Sequence, residues 1–402
     1  MVKQKHTPIP RYRVFNGPSI LSQGYRPFFL LAGLWAVVTL GLSFEMILGR
    51  ITLPTVFDAI SWHYHEMLFG YVAAVIAGYI LTTIPNWTGH LPLQGLPLLA
   101  LVILWIAGRI AVAISEIIGG ELAAVIDLSF LVVLALLTGR EIVAGRNWRN
   151  LPIILVVMLF FLCNGLSHAE ALGLMENEAR TQRLAIALVV MLVCMVGGRI
   201  IPSFTHNWLA KNNITKRPVP FGNFDRLTLV VTSLGLGLWA IGFGELVIVA
   251  LMGGASLLNL LRLRRWHGFA TFPEPLLWAL HIGYFWIPFG LALAAISLIW
   301  PVMPMTGSLH ALTIGVIGTM TLAVMSRTTL RNTGRPPHAG IGLTAVFILI
   351  TLSTIFRVTV SVWGGYFYLY LLYASAFTWM TAFLIFIGVC GPMLVRSRVE
   401  PK

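Results

Sequence analysis

The sequence predicts an all-α membrane protein of about twelve transmembrane helices, arranged as three sequential four-helix repeats. Three observations predict it. Apolar runs recur from one end of the chain to the other. Basic residues fall on alternate connections. The second run of each group of four shares one pattern of offsets.

The runs come first. The chain is 58% hydrophobic and 10% charged, whereas soluble domains are about a quarter charged. A bilayer core about 30 Å thick needs about 20 apolar residues per helix. Twelve runs come near that length, at 28–48, 64–84, 94–114, 121–138, 151–168, 184–201, 226–243, 245–262, 276–299, 309–326, 340–361 and 366–391. The stretch ahead of the first run is long and basic, and no small-residue cleavage site follows it. It reads as a cytoplasmic arm rather than a removable signal. Short connections leave no separate soluble domain, so residues 1–402 form one polytopic domain.

The net charge of +13 resolves once it is mapped. With the N-terminus inside, 21 of the 27 Lys and Arg residues fall on inside segments. Arg50, Arg180 and Arg183 fall outside, and Arg109, Arg199 and Arg357 fall within helices. This is the positive-inside bias. It places both termini in the cytoplasm. It also makes the bilayer, and no nucleic acid, the partner of the basic charge. Cys163, Cys194 and Cys390 sit in or at the ends of apolar runs with no paired spacing. They read as small buried hydrophobes.

The repeat rests on runs 2, 6 and 10. Anchored on Thr88, Thr205 and Thr333, a count of 23 residues back reaches His65, Gln182 and His310. Five residues further on stand Gly70, Ala187 and Gly315, all small. Pro27, Pro152 and Pro273 precede or open the first run of each group. Four spans return the chain to the same side, so the units, about 27–140, 150–265 and 273–391, are parallel.

Ionisable residues inside a span are costly and are functional or paired. His63, His65, Glu66 and His310 lie toward the outer ends of their runs, Arg109, Arg199, Arg327 and Arg357 lie in or at helix ends, and His281 lies early in run 9. His90, His206 and His338 follow runs 2, 6 and 10. A neutral imidazole ligates haem iron, copper or zinc. His65 and His310, at one depth on related helices, suit a single metal or the two faces of one haem. Gly70 and Gly315 then leave room for a flat macrocycle or a close helix. The plainer alternative is that each histidine bonds a neighbouring carbonyl or hydroxyl. His63 is two residues from His65, about 200° around a regular helix, but three from Glu66, with which it shares a face. His206, Arg199, Arg327, Arg331, Arg335 and His338 cluster at the inner face, suited to cofactor carboxylates or to simple anchoring. No nucleotide-binding loop, Ser–His–Asp pattern or thiolate metal motif is present.

Four strings carry a resemblance: GYRPFF at 24–29, HYHEMLFGYVAAVIAGYILTTIPNWTG at 63–89, GGRIIPSFT at 197–205 and AVMSRTTLRNTGR at 323–335. Together, and in this order, they resemble the NnrS family of bacterial membrane proteins. The resemblance implies a twelve-span inner-membrane protein containing haem b and copper, with a role in the response to nitric oxide and resistance to nitrosative stress, often beside denitrification enzymes. It carries over His65 and Glu66, Asn86, Trp87, Thr88 and Gly89, Arg199, and Arg327, Thr333, Gly334 and Arg335. At the exit from run 10 the family often has a histidine where this chain has Asn332. A ligand at that point is absent here.

Two other classes compete. A polytopic transporter without a cofactor fits the repetition and the Pro- and Gly-interrupted helix ends. A haem–copper nitric oxide reductase needs about six histidines on several helices, including an adjacent pair, and no His-His pair occurs. Electron-transfer partner and reaction are not specified by the residues.

Overall fold

The computed structural model describes residues 15–88, 91–146, 148, 151–176, 178–300, 302–363 and 365–399. All regular structure among them is helical. Twelve helices are long and apolar enough to cross a membrane: α1 Tyr25–Ile47, α2 Ala59–Pro85, α3 Leu96–Ala113, α4 Gly120–Ala144, α5 Leu151–Ala171, α6 Ala179–Lys211, α7 Asn223–Ile241, α8 Glu245–Arg264, α9 Pro275–Ile299, α10 Met305–Asn332, α11 Ile341–Trp363 and α12 Gly365–Val395. The protein is a multi-pass membrane protein.

Sequential helices pack as antiparallel neighbours, and α1 also packs on α12, which closes the bundle. Arg26 fastens that closure: its guanidinium donates to the carbonyls of Leu394 at 2.8 Å and Arg396 at 2.7 Å. These are carbonyls at the end of α12 that lack helical partners. The α1 start and the α12 finish thus share one end of the bundle, the terminal end, and the α1–α2 connection marks the far end. Helices α2 and α10 are the most enclosed of the twelve, at 78% and 67% buried, so they form the centre. Their composition allows it, because small residues such as Ala73, Ala74, Ala77, Gly315 and Gly318 let neighbours approach.

Both central helices change pitch at one place. α-Helix runs to His65, a π-helical stretch follows over Glu66–Val72, and α-helix resumes at Ala73. In α10 the π stretch Ala311–Gly318 follows His310. Gly70 lies in the first stretch and Gly315 in the second. A Cβ on Gly70 would lie 2.6 Å from the Trp35 indole nitrogen, and one on Gly315 would lie 2.5 Å from Trp286. The room at each glycine is therefore taken by an indole from α1 or α9, a close helix rather than a macrocycle.

A polar junction stands in the terminal half. Arg262, fully buried on α8, donates to Asp225 of α7 at 2.8 Å and to the Tyr284 hydroxyl of α9 at 2.9 Å. The positive-inside count treats Arg262 as a surface anchor, but a buried carboxylate draws it inward.

Candidate metal centre

The far half of α2 builds the densest polar cluster. Asp58 caps the helix by accepting from the Ile60 and Ser61 amides at 2.8 and 3.1 Å, which sets the phase in which His65 and Glu66 point inward. Both are fully buried. Around them stand Arg109 from α3, Asp127 from α4, and Asn164 and His168 from α5, each no more than 2% exposed.

The contacts are specific. Arg109 donates to Glu66 Oε1 at 2.7 Å and also bonds Asp127 Oδ1. Trp35 Nε1 donates to Glu66 Oε2 at 2.7 Å. His65 Nδ1 lies 3.1 Å from Glu66 Oε1. On the ring's other side, His65 Nε2 lies 2.9 Å from Asn164 Oδ1 and 3.5 Å from Asp127 Oδ2. Asn164 Nδ2 donates to Asp127 Oδ2 at 2.8 Å, and His168 Nε2 lies 3.1 Å from the same oxygen. Phe57 and Phe69 pack against the His65 ring.

Two consequences follow from this wiring. First, the Asn164 amide has one workable orientation, because flipping it would set its oxygen against the Asp127 carboxylate. Its oxygen therefore faces His65. His65 then meets acceptors at both nitrogens, and a neutral imidazole has only one N–H. A proton or a metal ion must sit at Nε2. Second, two carboxylates share a single guanidinium. With neutral imidazoles one negative charge is left over in a buried site, where an unpaired charge is expensive.

His65, Asp127 and His168 each offer a ligand atom, and all three atoms lie within 4.8 Å of one another. Metal bonds of about 2.0–2.2 Å place donors about 3–3.6 Å apart. The 3.1 and 3.5 Å separations already match. Glu66 at His65 Nδ1 is the outer partner that metal-bound imidazoles have. Two imidazoles and a carboxylate suit a borderline cation such as Cu(II), Zn(II) or Fe(II).

His65 and Glu66 were singled out by sequence and belong to this centre, as does Arg109. His310 does not touch it. Its Nδ1 bonds the Thr306 carbonyl at 2.8 Å. His63 faces the other way, with Nδ1 2.9 Å from Ser43 Oγ on α1. His281 is buried between the Leu277 carbonyl at 2.9 Å and Thr205 Oγ1 at 3.4 Å. His206 and Arg199 are exposed, and Arg327 lies 3.8 Å over the Phe204 ring. The Trp87 side chain lies outside the described residues. Sequence reasoning missed Asp127, Asn164 and His168. Asp127 carried a usable signal, an acid well inside an apolar run. Asn164 is uncharged, and His168 stood last in its run, where it passed for an end.

The sequence model of the family described as NnrS protein matches residues 19–398 of the chain. No curated protein matches it.

Proposed function

Because the chain belongs to the NnrS family, we propose that it is a bacterial inner-membrane protein of the nitric oxide response, with its terminal end cytoplasmic, and that His65, Asp127 and His168 hold a copper ion. The observation that carries this reading is the His65 ring held between acceptors, in a cluster with one negative charge too many. A cation at Nε2 resolves both. When bound, copper supplies a redox-active ion that takes nitric oxide as a ligand. The protein's own groups do the rest. Glu66 orients His65, Arg109 fixes the two carboxylates, and Phe57 and Phe69 exclude water.

Nitric oxide is small and uncharged, so it enters from lipid. An apolar cavity of about 90 Å³ between α2, α5, α6 and α10 is lined by Val72, Val75, Val157, Val193, Gly197 and Met320. It offers such a molecule a place within the bundle. It is too small for a porphyrin, since pockets for drug-sized ligands start at about 300 Å³. Binding, sensing and relieving nitric oxide damage all begin with capture at such a centre.

The test has two parts. Purified protein loaded with copper should show a cupric resonance signal that changes on adding nitric oxide. A strain lacking the gene should regain growth under nitric oxide with the wild-type gene and not with His168→Ala. A signal indifferent to nitric oxide, together with full rescue by the variant, would overturn the reading.

A further inference from the structure

We propose that the cavity among α2, α5, α6 and α10 holds one acyl chain of an anionic phospholipid, drawn from the leaflet at the terminal end, with Arg199 and Arg327 binding its phosphate. The inference goes beyond the nitric oxide reading and stands whether or not a metal occupies the His65 cluster.

The cavity lies in the terminal half of the bundle. Its wall runs from Val72 to Ile80 on α2 and from Val189 to Ile200 on α6, and α5 and α10 complete it. Tyr79 and Thr321 carry the only hydroxyls in the lining. The Thr321 hydroxyl is taken up by Tyr71 and by the Ile317 carbonyl, the latter at 2.7 Å. The space therefore favours hydrocarbon, and its narrowness suits a single unbranched chain. Helix α5 forms the outer wall. Ile153 and Val156 of the lining are half-buried, while Leu155 and Met158 beside them are 59% and 42% exposed. The edge of the cavity thus meets the lipid-facing surface, where the second chain of a phospholipid rests. A seated chain and an entering gas use the same space in turn.

The terminal rim of the cavity is basic. Thr82, Arg199 and Arg327 stand six residues before Thr88, Thr205 and Thr333, one on each of the three related helices. Arg199 adjoins Ile200 of the wall and acts electrostatically on Tyr79, across the cavity on α2. Arg327 follows Val324 of the wall by about one turn and lies 3.8 Å over the Phe204 ring of α6. Arg331 stands one turn further on and adds to the positive field at Arg327. Among the described residues neither Arg199 nor Arg327 forms an ion pair. Glu274 acts on Arg327, but its oxygens are committed to His338 at 2.8 Å and to the amides of Leu276 and Ala339, each at 3.2 Å.

Charge and shape together select the ligand. Basic residues at a membrane surface attract anionic headgroups, and the guanidinium fork suits a phosphate. The cavity below the rim turns that attraction into a site, because it receives a chain attached to the same phosphate. A zwitterionic lipid brings a cation beside its phosphate, which the two arginines disfavour.

The full-length protein is purified in detergent and given equal amounts of phosphatidylglycerol and phosphatidylcholine with matched chains. Native mass spectrometry then counts the bound lipid. The wild type should retain one phosphatidylglycerol. Arg199→Gln and Arg327→Gln should each bind it about tenfold more weakly, the loss of one charge-assisted hydrogen bond. Val193→Phe fills the cavity without touching the charge and should lose the lipid as well, with a thermal midpoint near that of the wild type. Phosphatidylglycerol spin-labelled along one chain should show an immobilised component with the wild type, a readout that needs no variant. Retention of phosphatidylglycerol by a folded Val193→Phe, equal retention of phosphatidylcholine, displacement by equimolar oleate, or a label as mobile as bulk lipid would overturn the inference. All of these are read without copper or nitric oxide, so the metal centre stands or falls separately.

Discussion

Arg109 is the residue on which the buried centre depends. It is 2% exposed and binds Glu66 and Asp127, which come from different helices. Removing one partner of a buried charge network leaves the other charges uncompensated and costs about 3–5 kcal/mol. Arg109→Ala should therefore lower the thermal midpoint in detergent well below that of the wild type, and added copper should recover part of the loss by replacing the missing positive charge. An unchanged midpoint would mean that the carboxylates are not held through Arg109. At this scale the sequence was half legible. His65 and Glu66 stood out because a charge inside an apolar run is conspicuous. Asp127 was equally conspicuous in kind, seven residues into its run, but no nearby residue in sequence announced its partners. His168 and Asn164 become meaningful only when α5 is laid against α2, and packing of that sort leaves no mark on a single chain.

At the scale of elements, the two π-helical stretches and their glycines set how closely the central helices are approached. Gly70→Ala would drive a Cβ into Trp35 and to 2.9 Å from Glu66 Oε2. It should destabilise the protein by about 1–3 kcal/mol, as overpacking does, and loosen the Trp35–Glu66 bond that orients the centre. Gly388 on α12 has open space around its Cβ position, so Gly388→Ala should be neutral or slightly stabilising by helix propensity. Paired thermal melts check both, and equal melts for the two variants would contradict the packing account. The twelve spans were legible because hydrophobic length is a local property, and the structure has a helix at each of the sequence ranges, although α4, α6 and α10 run well past the ends of theirs, α6 as far as Lys211. The pitch changes were not, because a π turn has no compositional signature. Both π stretches begin one residue after His65 and His310, whereas the corresponding part of α6, after Gln182, is α-helical throughout. Gly198 shows what the run-6 string conceals: a Cβ there would lie 2.2 Å from the Arg262 guanidinium, so the glycine makes room for a buried charge that the sequence reading placed at the surface.

The whole molecule divides its polar interior between its ends. The carboxylate-rich centre lies in the far half, and the Asp225–Arg262–Tyr284 junction lies in the terminal half. Our orientation of these halves rests on the basic connections, whose Lys and Arg fall mostly on one side even with the buried Arg262 left out of the count. Alkaline phosphatase fused within the α1–α2 connection should be active, and the same enzyme fused after Lys402 should be inactive; the reverse pattern would turn the protein over. The central claim, that the far-half cluster is built for a metal ion, is tested most directly by equilibrium copper binding to purified wild-type protein and to His168→Ala and Asp127→Asn. We expect the wild type to bind one copper ion at this centre, and each variant to lose it while still purifying as a folded membrane protein. Equal copper stoichiometry and affinity in all three would contradict the account and leave His65, Asp127 and His168 as a protonated structural cluster.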